Sequence, residues 1–171
     1  MKYQSVLCVL AGLLPLVTIT ALSVVVPGFF LFQNYISDLG VSQYALIFSF
    51  SLVASGLLII PFIFLAYKKY SYLIVLFLAA ILSLMGVVLF PLTSKFHKPV
   101  TALFFLLVLA SILTAGTKMT RKWSRWTSIT LGILGFAGIA FFNPLTETLL
   151  VFAIGLWVAG VGLFSKRLYE K

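Results

Sequence analysis

Charge is what this chain has least of. Of 171 residues, 9% are Asp, Glu, Lys or Arg, while 63% are hydrophobic. A soluble domain carries about 25% charged residues to cover its surface, so most of this surface must face lipid. Histidine is nearly absent too. His97 stands alone, which excludes a bis-histidine haem or a histidine-rich metal site within the chain. No cofactor and no metal are expected. Cys8 is the single cysteine, so no internal disulfide forms. It lies in the apolar run Val6-Leu7-Cys8-Val9-Leu10 without a lipobox, and reads as a buried, inert thiol. The apolar stretches also lack ionisable residues, which argues against proton pumps, ion channels and carriers of charged substrates, since these keep such groups at membrane depth.

What is present is a succession of apolar runs separated by polar or Pro/Gly breaks. They fall near Ser5–Val26, Tyr44–Ala66, Tyr72–Phe90, Val100–Thr117, Trp126–Phe142 and Thr148–Phe164. At about 20 residues per crossing, the length suits six spans in one all-α domain over residues 1–171. The first run is far longer than the roughly 7–15 residues of a signal-peptide core, so it reads as a retained helix. The fifth is short and glycine-rich.

The basic residues orient these spans. Lys2, Lys68, Lys69, Lys118, Arg121, Lys122, Arg125, Lys166, Arg167 and Lys171 fall on one side of a six-span chain, and Lys95 and Lys98 on the other. Lys and Arg near span ends are retained in the cytoplasm, so a split of ten against two places both termini there, in the cell membrane. Removing one span would scatter the basic clusters over both faces. Lys118, Arg121, Lys122 and Arg125, with Trp123 and Trp126, suit an anionic inner leaflet at about 1 kcal/mol per basic residue. With no soluble domain to host it, a nucleic-acid partner is not expected.

Small residues mark helix contacts. Gly132, Gly135 and Gly138 recur in the fifth run, and Gly155, Gly160 and Gly162 in the sixth. In lipid such positions let backbones approach closely; a groove for an acyl chain is the sharper alternative. An echo links Leu89-Phe90-Pro91-Leu92-Thr93 with Phe142-Asn143-Pro144-Leu145-Thr146, which proline's fitness for a helix end explains.

The outer side collects most of the rare polar groups: Asn34, Asp38, His97, Asn143 and Glu147, with only Glu170 among the acids inside. Ser37 and Asp38 lie in the longest outer loop, Pro27–Gly40, whose aromatic start suits the membrane interface. Either could cap a following helix, and Gly40 would ease a bend. The sharper reading pairs Asp38 with His97, the carboxylate fixing the imidazole tautomer for acid–base work. Ser37 is then a candidate nucleophile, although adjacent Ser and Asp rarely both reach one imidazole. Asn34, Asn143 and Glu147 would complete a lipid-facing polar site. A plain headgroup contact is the alternative for His97.

The segment Asn34-Tyr35-Ile36-Ser37-Asp38-Leu39-Gly40 resembles the signature of a prokaryotic, mainly archaeal, family of small six-span proteins, a domain of unknown function (family 998). Gly86-Val87-Val88-Leu89-Phe90-Pro91, followed by Phe96-His97 and Ala102-Leu103-Phe104-Phe105, is similar to its second block. More distantly, an Ile-Ser-Asp-x-Gly loop with a histidine opening the fourth helix is similar to the damage-regulated autophagy modulator and Sfk-like proteins. Those are six-span proteins tied to membrane-lipid organisation. The resemblance implies six spans and gives weight to Ser37, Asp38, Gly40 and His97. The chain departs from the pattern at Leu92, where an acidic residue often stands, which weighs against a carboxylate-based mechanism.

Two functions fit these features. One is a lipid-associated protein working through the outer polar residues, with membrane lipid as its partner. The other is a structural or accessory subunit of a larger complex, docked on membrane protein partners through its glycine-rich helices.

Overall fold

The computed structural model describes the backbone of residues 2–169 and the side chains of residues 3–164. Glu170 and Lys171 lie outside the described residues, as do the side chains of Lys2, Lys166 and Arg167. All six apolar runs are helical: α1 (Lys2–Val25), α2 (Ala45–Ala66), α3 (Ser71–Leu89), α4 (His97–Lys118), α5 (Lys122–Ala140) and α6 (Pro144–Tyr169). A 3-10 helix, Ile36–Val41, follows α1. No strand occurs among the described residues.

Five of the long helices, all but α5, are long and apolar enough to cross a membrane. The chain is therefore a multi-pass helical membrane protein in contact with lipid. The exception has a clear cause. The first two turns of α5 carry Lys122, Ser124, Arg125, Thr127 and Ser128. From Ile129 to Ala140 that leaves about 18 Å of more apolar helix, against roughly 30 Å of hydrocarbon.

Each helix packs on its neighbours in the chain, and α6 closes the ring on α1. The α5–α6 seam is the loosest of these contacts. Where α1 meets α6, the backbones nearly touch. A Cβ on Gly12 would overlap the carbonyl oxygen of Gly155 and lie 2.5 Å from the amide of Ala159, and one on Gly162 would lie 2.9 Å from the carbonyl of Ser5. Between α4 and α5, Gly132 faces the Cβ and Cα of Leu113 and Gly135 the side chain of Leu109. Because lipid offers no hydrophobic drive to pair helices, these approaches supply the packing. Gly160 belongs to neither interface: a Cβ there would meet nothing within 4 Å.

The two ends of the bundle differ. At one, the α2–α3 and α4–α5 turns meet the last turns of α6: the Lys118 ammonium lies 5.3 Å from the Tyr70 ring, and the Arg121 guanidinium 5.8 Å from Phe164. Lys122 and Arg125 sit in the first turn of α5, not in the preceding turn, and Arg125 donates from Nε and Nη2 to the carbonyl of Met119 at 3.0 and 2.8 Å. Cys8 is fully buried near this basic end, its thiol 3.2 Å from the Val158 carbonyl. At the other end lie the 3-10 helix, the α3–α4 turn and the start of α6.

Candidate functional site

The 3-10 end is organised by three local devices. The loop after α1 turns through left-handed backbone at Gly28 (φ 76°) and Phe32 (φ 72°). Gly40, expected at a bend, has no such conformation; a Cβ there would lie 3.6 Å from the Phe48 ring. Asn34 closes the loop by accepting the Phe30 amide at 2.8 Å. Asn143 caps α6: its Oδ1 accepts the Thr146 amide at 3.0 Å while Thr146 Oγ1 accepts the Asn143 amide at 2.8 Å. This reciprocal pair is a capping box with Thr in the third helical position, and Pro144 in the first needs no amide partner.

Glu147 follows in the next position of α6 and points inward, only 4% exposed. Its Oε2 accepts the Ile36 amide at 2.7 Å. The 3-10 helix thus receives its N-terminal acceptor from a residue 111 positions away. Neither Ser37 nor Asp38 caps a helix: the residues before the 3-10 helix and before α2 make no side-chain capping bond.

His97 opens α4 and is 5% exposed. Its Nδ1 lies 2.7 Å from the carbonyl oxygen of Phe90, at the C-terminus of α3. A carbonyl only accepts, so Nδ1 carries the proton, and in the neutral ring Nε2 is left with a lone pair. Nε2 is buried and has no protein partner among the described residues. The same is true of Thr101 Oγ1 one turn on, in a residue 8% exposed. Two orphaned polar atoms on the buried face of one helix are uncommon, because an unmet group costs about 1–3 kcal/mol.

Both residues line a cavity of about 400 Å³ between α4, α5, α6 and the 3-10 helix. Ala102, Phe105, Ile139 and Phe142 form its apolar wall; Tyr35, Ser37, Lys98 and Glu147 complete the polar side. Phe142 also stacks on Tyr35, their centroids 6.0 Å apart, and leans on Phe105 at 5.7 Å. A smaller cavity of about 70 Å³ toward α2 and α3 shares Ser37, His97, Thr101 and Glu147.

The structure therefore brings together Ser37, His97 and Glu147 from the sequence-derived set. Asp38 is half-buried and does not line the cavity, and no hydrogen bond joins it to His97 among the described residues. It lies close enough to Glu147 for the two carboxyls to interact electrostatically. Asn34 and Asn143 are engaged in loop and cap bonds. Thr101 is the residue that sequence reasoning misses, since a threonine in an apolar run reads as packing; its place four residues after His97 is the available signal. The basic residues Lys118, Arg121, Lys122 and Arg125 lie at the opposite end. Among the described residues no group of three or more His, Cys, Asp or Glu is placed to hold a metal ion.

A family model described as a protein of unknown function (DUF998) matches residues 9–163, and the chain belongs to that family. No curated protein and no solved structure matches it.

Proposed function

From that membership and this geometry, we propose that the protein is a lipid-binding membrane protein whose site is the His97 cavity. One observation carries the reading: Nε2 of His97 and Oγ1 of Thr101, both buried and unpartnered, border a cavity whose other walls are largely apolar. A mostly apolar cleft with a few convergent polar groups is what small amphiphiles occupy.

The accompanying topology is six spans, with both termini cytoplasmic in the cell membrane and the cavity at the outer face. In support, α5 leaves the basic end and delivers Phe142 to the rings of Tyr35 and Phe105 at the 3-10 end. Its short apolar stretch is compensated where Lys122, in its exposed first turn, reaches toward the headgroups.

Native purification followed by mass spectrometry of retained lipids tests the function. A lipid retained by the wild type and retained less by Thr101→Val supports it; lipid retention indifferent to that change overturns it. A second reading, an accessory subunit, draws on the groove of about 450 Å³ beside Gly160 on the α5–α6 seam. A stoichiometric protein partner in the same preparation would favour it.

A further inference from the structure

We infer that the His97 cavity selects a lipid whose headgroup ends in hydrogen-bond donors, of which a primary ammonium is the simplest. This rests on the lipid-binding reading and concerns which lipid the site takes. With Nδ1–H committed to the Phe90 carbonyl, the neutral form of His97 presents an acceptor at Nε2. Glu147 adds a carboxyl whose Oε2 already accepts a backbone amide. The free hydroxyl of Thr101 can accept as well as donate.

The buried part of the site is thus rich in acceptors. A bare phosphate, whose oxygens also accept, would meet the Nε2 lone pair and the Glu147 carboxyl there, with only the Thr101 hydroxyl able to donate to it. A headgroup donating N–H or O–H would satisfy them. Lys98 is exposed and borders the same cavity. It supplies the one cation on that wall among the described residues, suited to a phosphate lying nearer the membrane surface. Donors inward and phosphate outward describes a phospholipid with a donor-tipped head.

Headgroup methylation removes the donors one at a time while keeping the positive charge. The test uses the full-length protein in neutral detergent. Retention is measured by native mass spectrometry for phospholipids of identical acyl chains bearing ethanolamine, N-methyl-, N,N-dimethyl- and N,N,N-trimethylethanolamine (choline) heads. The expected result is a stepwise fall, with choline retained about tenfold or more below ethanolamine. Thr101→Val, which preserves shape and removes the hydroxyl, should flatten the series; a purely steric rejection of the methyl groups would persist in it. His97→Gln gives an independent second variant, and folding of both is checked by thermal melting. Equal retention across the series, lost alike in Thr101→Val, overturns donor selection and leaves lipid binding standing. A steep series unchanged in both variants also overturns it, since the preference would then arise elsewhere. Retention that is flat and insensitive to both variants removes the lipid-binding reading along with the inference.

Discussion

Glu147 on α6 holds the Ile36 amide at 2.7 Å across 111 positions of sequence, and so joins the last helix of the bundle to the loop that follows the first. The bond does three things at once. It gives the 3-10 helix its N-terminal acceptor, which Tyr35, the residue in the capping position, does not provide. It fixes Ser37 against the cavity, where Glu147 itself forms part of the wall. It also draws the loop over the ring closure of α1 on α6. The Asn34–Gly40 block therefore has a structural meaning: it is the segment that Glu147 captures.

Replacing this carboxyl should loosen that segment in a graded way. Glu147→Ala leaves a buried amide unmet, at a cost of about 1–3 kcal/mol. Glu147→Gln keeps a carbonyl oxygen in place and should cost less. Thermal melting in detergent should rank wild type above Gln above Ala, and limited proteolysis should open the 27–44 loop in the same order. Equal melting for all three would mean that the bond contributes no net stability.

Much of the fold was legible because lipid leaves a simple trace. Every apolar run became a helix, with ends shifted by a few residues where capping chemistry decided. The start of α6 moved to Pro144 because Asn143 and Thr146 cap it, and α5 began at Lys122 because basic residues tolerate the first turn at a membrane surface. The site was less legible. Asp38 and His97 share one end, as the charge pattern implied, yet His97 turns its Nδ1 back to Phe90, and Glu147 is the carboxyl that reaches the cavity. Sequence can assign residues to an end of a bundle. It carries no signal for which of two acidic side chains faces inward, because that depends on helix rotation.

The glycines separate by what lies opposite them. At Gly12 the obstacle is backbone, the carbonyl of Gly155 and the amide of Ala159, which cannot rotate away. At Gly135 it is the side chain of Leu109, and at Gly160 nothing lies within 4 Å. Gly12→Ala should therefore lower stability by about 1–3 kcal/mol or more, as overpacking does. Gly160→Ala should be neutral or stabilising by up to about 1 kcal/mol. Gly135→Leu should be destabilising, because Leu109 is fully buried and has little room to move. Melting temperatures in one detergent check the order, and a Gly12→Ala protein as stable as wild type would contradict the α1–α6 contact.

Topology has a direct test. A reporter fused to the C-terminus should read cytoplasmic, and one inserted after Lys95, in the α3–α4 turn, should read external. The ten-to-two basic split motivates both expectations. A cytoplasmic reading at Lys95 would remove the six-span arrangement and with it the outer placement of the cavity.

Asp38 and His97 predict different phenotypes, although both are rare polar residues at the same end. Asp38 is half-buried, lies outside the cavity wall, and has no hydrogen bond to His97 among the described residues. It neighbours Glu147, so neutralising it removes a repulsion between two carboxyls. Asp38→Asn should leave melting unchanged or slightly raised, and lipid retention within about twofold, well under the 1.4 kcal/mol that a tenfold change represents. His97→Ala removes both the bond to Phe90 and the acceptor facing Thr101's side of the helix. It should lower melting through the α3–α4 turn by about 0.5–1.5 kcal/mol, and reduce lipid retention beyond that proportion. His97→Gln tests the turn, since an amide nitrogen can still donate to the Phe90 carbonyl while the imidazole lone pair is replaced by an amide oxygen in a different position. Restored melting with retention still low assigns His97 to the ligand. Restored melting with restored retention would mean that an amide oxygen can stand in for the imidazole acceptor. Loss of retention in Asp38→Asn at wild-type melting would return Asp38 to the site and require the loop to rotate toward His97 when lipid binds.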